Sequence, residues 1–139
     1  MNIYFACSIT GGRDFESVYQ ALTVALLVDG HEIPTAHLAD STVVELETRV
    51  SPREVYDRDV RWIAAADALI AEVSVPSHGV GYEIGYALGA GKPVLCLAQQ
   101  GRKVSKMITG NPHRGLKTQM YRDASEAIRL AREFVDGLK

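Results

Sequence analysis

The chain has 139 residues and a mass of 15.2 kDa, a length that fits one domain over residues 1–139 and leaves no room for separate binding and catalytic domains. Hydrophobic residues make up 47% and charged residues 23%, a composition that excludes bulk disorder. Fifteen basic against seventeen acidic side chains give a net charge of −2, so the counterion release that drives binding to long nucleic acid is small and a nucleic-acid polymer is not the expected partner. No apolar run nears the roughly 18–20 residues that span a bilayer, and the opening MNIYFACSIT lacks the charged start and cleavage pattern of a signal peptide; the expected location is the cytoplasm.

Short apolar runs alternate with stretches of helical period. Asn2 to Cys7 predicts a first strand, ending in the small-residue loop Ser8-Ile9-Thr10-Gly11-Gly12. Phe15, Val18, Tyr19, Leu22, Ala25 and Leu26 then recur at helical spacing, and Asp29-Gly30 closes that helix. His31 to Thr35 predicts a weaker strand, followed by a polar stretch without a clear period. Ser51-Pro52-Arg53-Glu54 is a helix start: Ser can cap, Pro fits the first turn, and Glu falls at the third helical position of a capping box, with the helix running to about Ala66. Ala68 to Val75 predicts a central strand, Pro76-Ser77-His78-Gly79-Val80-Gly81 a second loop of small residues, and Tyr82 to Ala90 a helix. Lys92 to Ala98 and Leu116 to Tyr121 complete the strands, with a short helix near Val104 to Ile108 between them and an amphipathic helix through Ala127, Ile128, Ala131, Phe134, Val135 and Leu138 at the end. The sum is a doubly wound α/β domain of the flavodoxin or Rossmann type, with five parallel strands and helices on both faces. Both small-residue loops then fall at the carboxyl ends of strands, where such sheets bind ligands.

The glycines at 79, 81 and 85 are spaced G-x-G-x-x-x-G, which is not the dinucleotide fingerprint, so no nicotinamide cofactor is expected. The loops offer free backbone N–H groups and hydroxyls at helix N-termini, at Ser8, Gly11, Gly12, Ser77, Gly79 and Gly81, an environment suited to one phosphate. Cys7 and Cys96 sit in apolar runs as buried thiols, and the four histidines lack ligand spacing, so no metal site is expected. Glu83, predicted in the first turn of its helix, could simply complement the helix dipole. Asp59 could form a surface ion pair with Arg58 or Arg61, and Tyr4 could be a plain core aromatic. Sharing one crevice, however, two carboxylates form the equipment for cleaving a glycosidic bond, with Tyr4 orienting one of them.

Three segments resemble the nucleoside 2-deoxyribosyltransferase superfamily, in particular its nucleotide branch, the 2'-deoxynucleoside 5'-monophosphate N-glycosidases. They are Ile3 to Arg13, the helix carrying Asp59, and Val73-Ser74-Val75-Pro76-Ser77-His78-Gly79-Val80-Gly81-Tyr82-Glu83-Ile84-Gly85. The resemblance implies that Glu83 is the nucleophile at C1' of the sugar, that Asp59 serves the leaving base, and that Tyr4 holds Glu83 in position. It implies a substrate-binding set of Ser8, Ile9, Gly11, Gly12, Ser77 and Gly79 gripping a nucleoside 5'-monophosphate, no cofactor, and a homodimer in which Ser105 reaches the neighbouring site. Cys7 replaces a glycine and Thr10 an arginine of that pattern, which leaves deoxyribose against ribose open. Base exchange, hydrolysis of ribonucleotides such as CMP, and a nucleotide sensor without turnover are the alternatives.

Overall fold

In the computed structural model, which describes residues 1–139, the strands form one parallel sheet in the order β1 (Ile3–Ala6), β2 (Ala68–Glu72), β3 (Val94–Gln99), β4 (Leu116–Tyr121). The first three are buried almost residue by residue, as strands covered on both faces must be. The edge strand β4 exposes Lys117, Thr118 and Gln119, polar positions that discourage pairing with another chain.

Side-chain alternation along β1 divides it between two cores. Ile3, Phe5 and Cys7 pack with residues of α1 (Glu16–Val28) and α6 (Ala124–Asp136), whereas Tyr4 and Ala6 pack with residues of α3 (Pro52–Ala65) and α4 (His78–Gly89). The helix starts follow their caps. Ser51 Oγ accepts from Glu54 N–H at 3.2 Å with Pro52 in the first turn of α3, and Asp123 accepts from Glu126 N–H at 2.9 Å ahead of α6. Gly30 ends α1 at φ +85°, a conformation that favours glycine. No helix is long and apolar enough to cross a membrane.

Two predictions fail for local reasons. The fifth strand expected at His31 to Thr35 shrinks to an isolated parallel bridge between Asn2 and Glu32. Pro34 has no N–H with which to continue a ladder, and Thr35 instead offers its hydroxyl to Phe5 N–H at 2.9 Å. The chain then turns through a 3-10 segment (Ala36–Ala39) and the short helix α2 (Val43–Glu47), which fill the stretch whose sequence shows no period. The strand expected to reach Val75 stops at Glu72, whose carboxylate accepts from Ser74 N–H at 3.3 Å and closes a turn. Helix α4 accordingly begins at His78 rather than Tyr82, capped by Ser77 Oγ on Val80 N–H at 3.4 Å, and Glu83 sits in its second turn, not its first. Between β3 and β4 lies the single-turn helix α5 (Lys106–Thr109).

The Glu32 bridge lies on one side of β1 and β2 on the other. Strand order therefore reverses at β1, and the loops leaving β1 and β2 border the crevice that such a reversal creates.

Candidate active site

Tyr4 projects from β1 toward α4, where its buried Oη donates to Glu83 Oε1 at 2.7 Å. This is the one hydrogen bond the Glu83 carboxylate makes within the protein. Val80, Ile84, Ala87 and Leu88 bury the sheet-facing side of α4, and Glu83 lies beside that stripe, where it lines a cavity of about 670 Å³. Asp59 reaches the same cavity from α3, with its side chain only 14% exposed and Oδ1 accepting from Arg58 Nε at 2.8 Å. Apolar walls come from Ile9, Leu38, Val50, Val55 and Val60, and the hydroxyls of Tyr56 and Tyr82, 3.3 Å apart, stand at the rim.

Burial, the largest influence, pushes Glu83 up to about 7; the Tyr4 hydroxyl opposes this, the Asp59 charge adds to it, and Arg58 opposes it again. Asp59 is also raised by burial, against the pull of Arg58. Burial and the two neighbouring carboxylates raise Tyr4, so it stays a donor at any ordinary pH. The carboxyls thus share a poorly hydrated pocket that raises the proton affinity of both, and Glu83 can hold a proton near neutrality.

The two loops after β1 and β2 also contribute to the cavity wall. A Cβ on Gly11 would lie 2.5 Å from the Pro76 carbonyl and 3.0 Å from Ser8 Oγ, so only glycine lets the loops meet this closely. None of the backbone N–H groups of Ile9, Thr10 and Gly11, or of Ser77, His78 and Gly79, donates to another protein group, and all but Gly11 belong to residues lining the cavity. Unpaired N–H groups at a helix N-terminus and an adjoining loop make a ready seat for an anion.

Of the residues expected from sequence, Glu83, Asp59, Ile9, Ser77 and Gly79 line the cavity, and Tyr4 supports it from behind without lining it. Ser8 is closed off beneath Gly11, its buried hydroxyl without a partner, and Gly11 and Gly12 shape the loop rather than the wall. Ser105 caps α5 through Met107 N–H at 3.2 Å and borders a second groove across the α4 N-terminus, not the cavity that holds the carboxylates. The Asp59–Arg58 pair exists but faces this cavity rather than bulk solvent. Cys7 lines the cavity as a buried thiol pushed up to about 12, and Cys96 is also buried and free. Sequence reasoning missed Glu47, which enters the wall from α2 and binds Arg58 Nη1 at 3.0 Å. No signal could have found it, because its place depends on the irregular turn before α2.

A family model described as nucleoside 2-deoxyribosyltransferase matches residues 3–129, and the chain belongs to this family. It is 40% identical over 133 residues to a Methanosarcina barkeri protein provisionally named 2'-deoxynucleoside 5'-phosphate N-hydrolase 1, covering 96% of this chain and 84% of that one. It is 39% identical over 134 residues to the 5-hydroxymethyl-dUMP N-hydrolase of Mus musculus, covering 91% and 75%. The solved structure of the Clostridium botulinum CMP N-glycosidase BcmB shares the fold, with a TM-score of 0.71 at 19% identity over 95% of this chain and 99% of that one.

Proposed function

We propose that the protein hydrolyses the N-glycosidic bond of 2'-deoxynucleoside 5'-monophosphates to free base and deoxyribose 5-phosphate. The observation that carries this reading is the convergence of Glu83, backed by Tyr4, and Asp59 on one cavity whose lining residues include a set with unpaired N–H groups. The names of the relatives at about 40% identity agree with it.

In the proposed reaction an oxygen of ionised Glu83 attacks C1' as the C1'–N bond breaks. The bonding pair leaves with the base, which takes a proton from Asp59, and a glycosyl ester of Glu83 remains. Water then attacks C1', Asp59 takes its proton back, and the ester bond returns its electrons to the Glu83 carboxylate. A buried anion at the sugar stabilises the oxocarbenium-like transition state. The Tyr4 hydroxyl favours the ionised form of Glu83 and orients the free oxygen. The N–H groups of Ile9, Thr10, Ser77, His78 and Gly79 and the Ser77 hydroxyl would grip the 5'-phosphate, with Ser8, Gly11 and Gly12 setting the loop. Ser105 lies outside the cavity of its own chain, so its phosphate contact would come from a second copy, in a homodimer. The cytoplasm, where such nucleotides occur, is the proposed location.

Incubation with single 2'-deoxynucleoside 5'-monophosphates tests the reading. Free base and deoxyribose 5-phosphate in equal amounts, unchanged by an added second base, are expected. Formation of a new nucleoside from unphosphorylated substrates would instead assign base exchange, and preference for CMP over dCMP would assign ribonucleotide hydrolysis.

A further inference from the structure

Asp59 is bonded through one oxygen only, although its partner is an arginine. A guanidinium normally closes on a carboxylate with two parallel hydrogen bonds. Here Glu47 holds the far end of the guanidinium, Arg58 Nη1 donating to Oε1 at 3.0 Å and Nη2 to Oε2 at 3.4 Å, and in the tilt this sets only Nε meets Asp59, at 2.8 Å from Oδ1, while the second Nη2 N–H makes no bond to Oδ2. The guanidinium is fixed from its face by the Trp62 ring, 4.9 Å from the centroid, and Trp62 in turn packs edge-on with His37. His37 Nε2 lies 3.5 Å from Glu47 Oε1. Glu47 and Arg58 side chains are 14% and 19% exposed, so their pairing is shielded from solvent in a way a surface ion pair is not.

We propose that Glu47 is a positioning residue: by holding both Nη atoms it fixes the tilt of the Arg58 guanidinium so that Nε alone meets Asp59, and leaves Asp59 Oδ2 free to serve the base. The inference rests on the role given to Asp59 above and adds to it a residue on α2 that acts through Arg58. The charged and titratable groups around Asp59 are Arg58 on its own helix, Glu47 on α2, His37 on the 3-10 segment, Glu83 on α4 and Tyr4 on β1. Among these Arg58 favours the ionised acid and Glu47 opposes it. Weakening the Glu47 grip lets the guanidinium turn until Nε–H and the outer Nη2–H close on both Asp59 oxygens, which makes Asp59 a stronger acid and a poorer proton donor to a base.

The direct test is carbon-detected NMR titration of the Asp59 carboxyl in the wild type and in Glu47→Gln. The substitution is expected to lower the titration midpoint by about one pH unit and kcat by about tenfold, with KM nearly unchanged. In an Arg58→Lys background, which has no fork to release, the same substitution is expected to move Asp59 less than half as far. An unmoved midpoint in Glu47→Gln, or an equal shift in both backgrounds, overturns the proposal. Should Glu47→Gln not fold, Glu47→Asp, whose carboxyl falls one carbon short of the fork, is expected to shift Asp59 in the same direction by less, and no shift there overturns it as well. If Asp59→Asn keeps wild-type turnover, the reading of Asp59 fails separately, since the titration reports the pairing whatever the reaction.

Discussion

Two buried carboxylates on opposite faces of the same sheet show how an acid engaged by the fold differs from one left open to a ligand. Glu72, at the end of β2, points into the α1–α6 core, where it accepts from Ser74 N–H, the Ser74 hydroxyl and the Tyr121 hydroxyl, the last at 3.0 Å. Glu83, on the α3–α4 face, accepts from Tyr4 alone and borders open volume. Burial raises the proton affinity of both. Desolvation therefore does not distinguish them; spare lone pairs beside a cavity do. Where both oxygens are engaged by neighbouring donors, a carboxylate organises a turn. Where an oxygen is left over next to room for a ligand, the same group is available for chemistry.

Removing the acids one at a time, with Asp59 as the second acid of the cavity, is the strongest way to break this contrast. Glu83→Gln is expected to lower kcat by at least about 10³-fold while nucleotide still binds by calorimetry. Asp59→Asn, measured as base release from the same substrates, is expected to cost about 10²–10³-fold. Glu72→Ala should leave the folded fraction turning over but, by stranding Tyr121 and Ser74 as donors without an acceptor, cost about 3 kcal/mol in urea unfolding.

The contrast sharpens in stability against pH. Because folding raises Glu83 from an ordinary 4.5 to about 7, the folded protein holds that proton more tightly than the unfolded chain. The associated stability is fully present below about pH 4.5 and lost as pH rises through about 7. Glu83→Gln, inactive in turnover, is thus expected to be more stable than the wild type at pH 8 by about 1–3 kcal/mol and to lose that advantage near pH 4. Equal unfolding midpoints at both pH values would show that Glu83 is not desolvated. The smallest effect belongs to Tyr4→Phe. Removing the donor raises the proton affinity of Glu83 further, so the acid limb of kcat/KM should move to higher pH, with a loss of about tenfold at neutrality.

Much of this was legible in the sequence because it is local. The Ser51-Pro52-Arg53-Glu54 start, the Asp29-Gly30 stop and the apolar runs of β1, β2 and β3 each depend on neighbours along the chain, and each folds close to expectation. The failures involve side chains that bond to backbone N–H groups, whether near or far along the chain. Thr35 replaces a strand residue by capping Phe5, and Glu72 ends its strand by folding back on Ser74, an interaction that no apolar period announces. Tyr4, Asp59 and Glu83 could be singled out by residue type and by resemblance to a family. Their convergence is a property of the sheet order, which brings the loop after β1 against the loop after β2. Glu47 was invisible because α2 has five residues and little period of its own. Ser8 is the reverse case: its residue type is legible in the sequence, but its burial under Gly11, off the cavity wall, is set by packing.

The central claim is that Glu83 becomes esterified during turnover. Peptide mass mapping of enzyme quenched within the first turnover of a 2'-deoxynucleoside 5'-monophosphate tests it directly. The account predicts the mass of one deoxyribose 5-phosphate unit, less water, added to the peptide containing Glu83; a first-turnover release of base with that peptide unmodified, or with the mass on another residue, would contradict it.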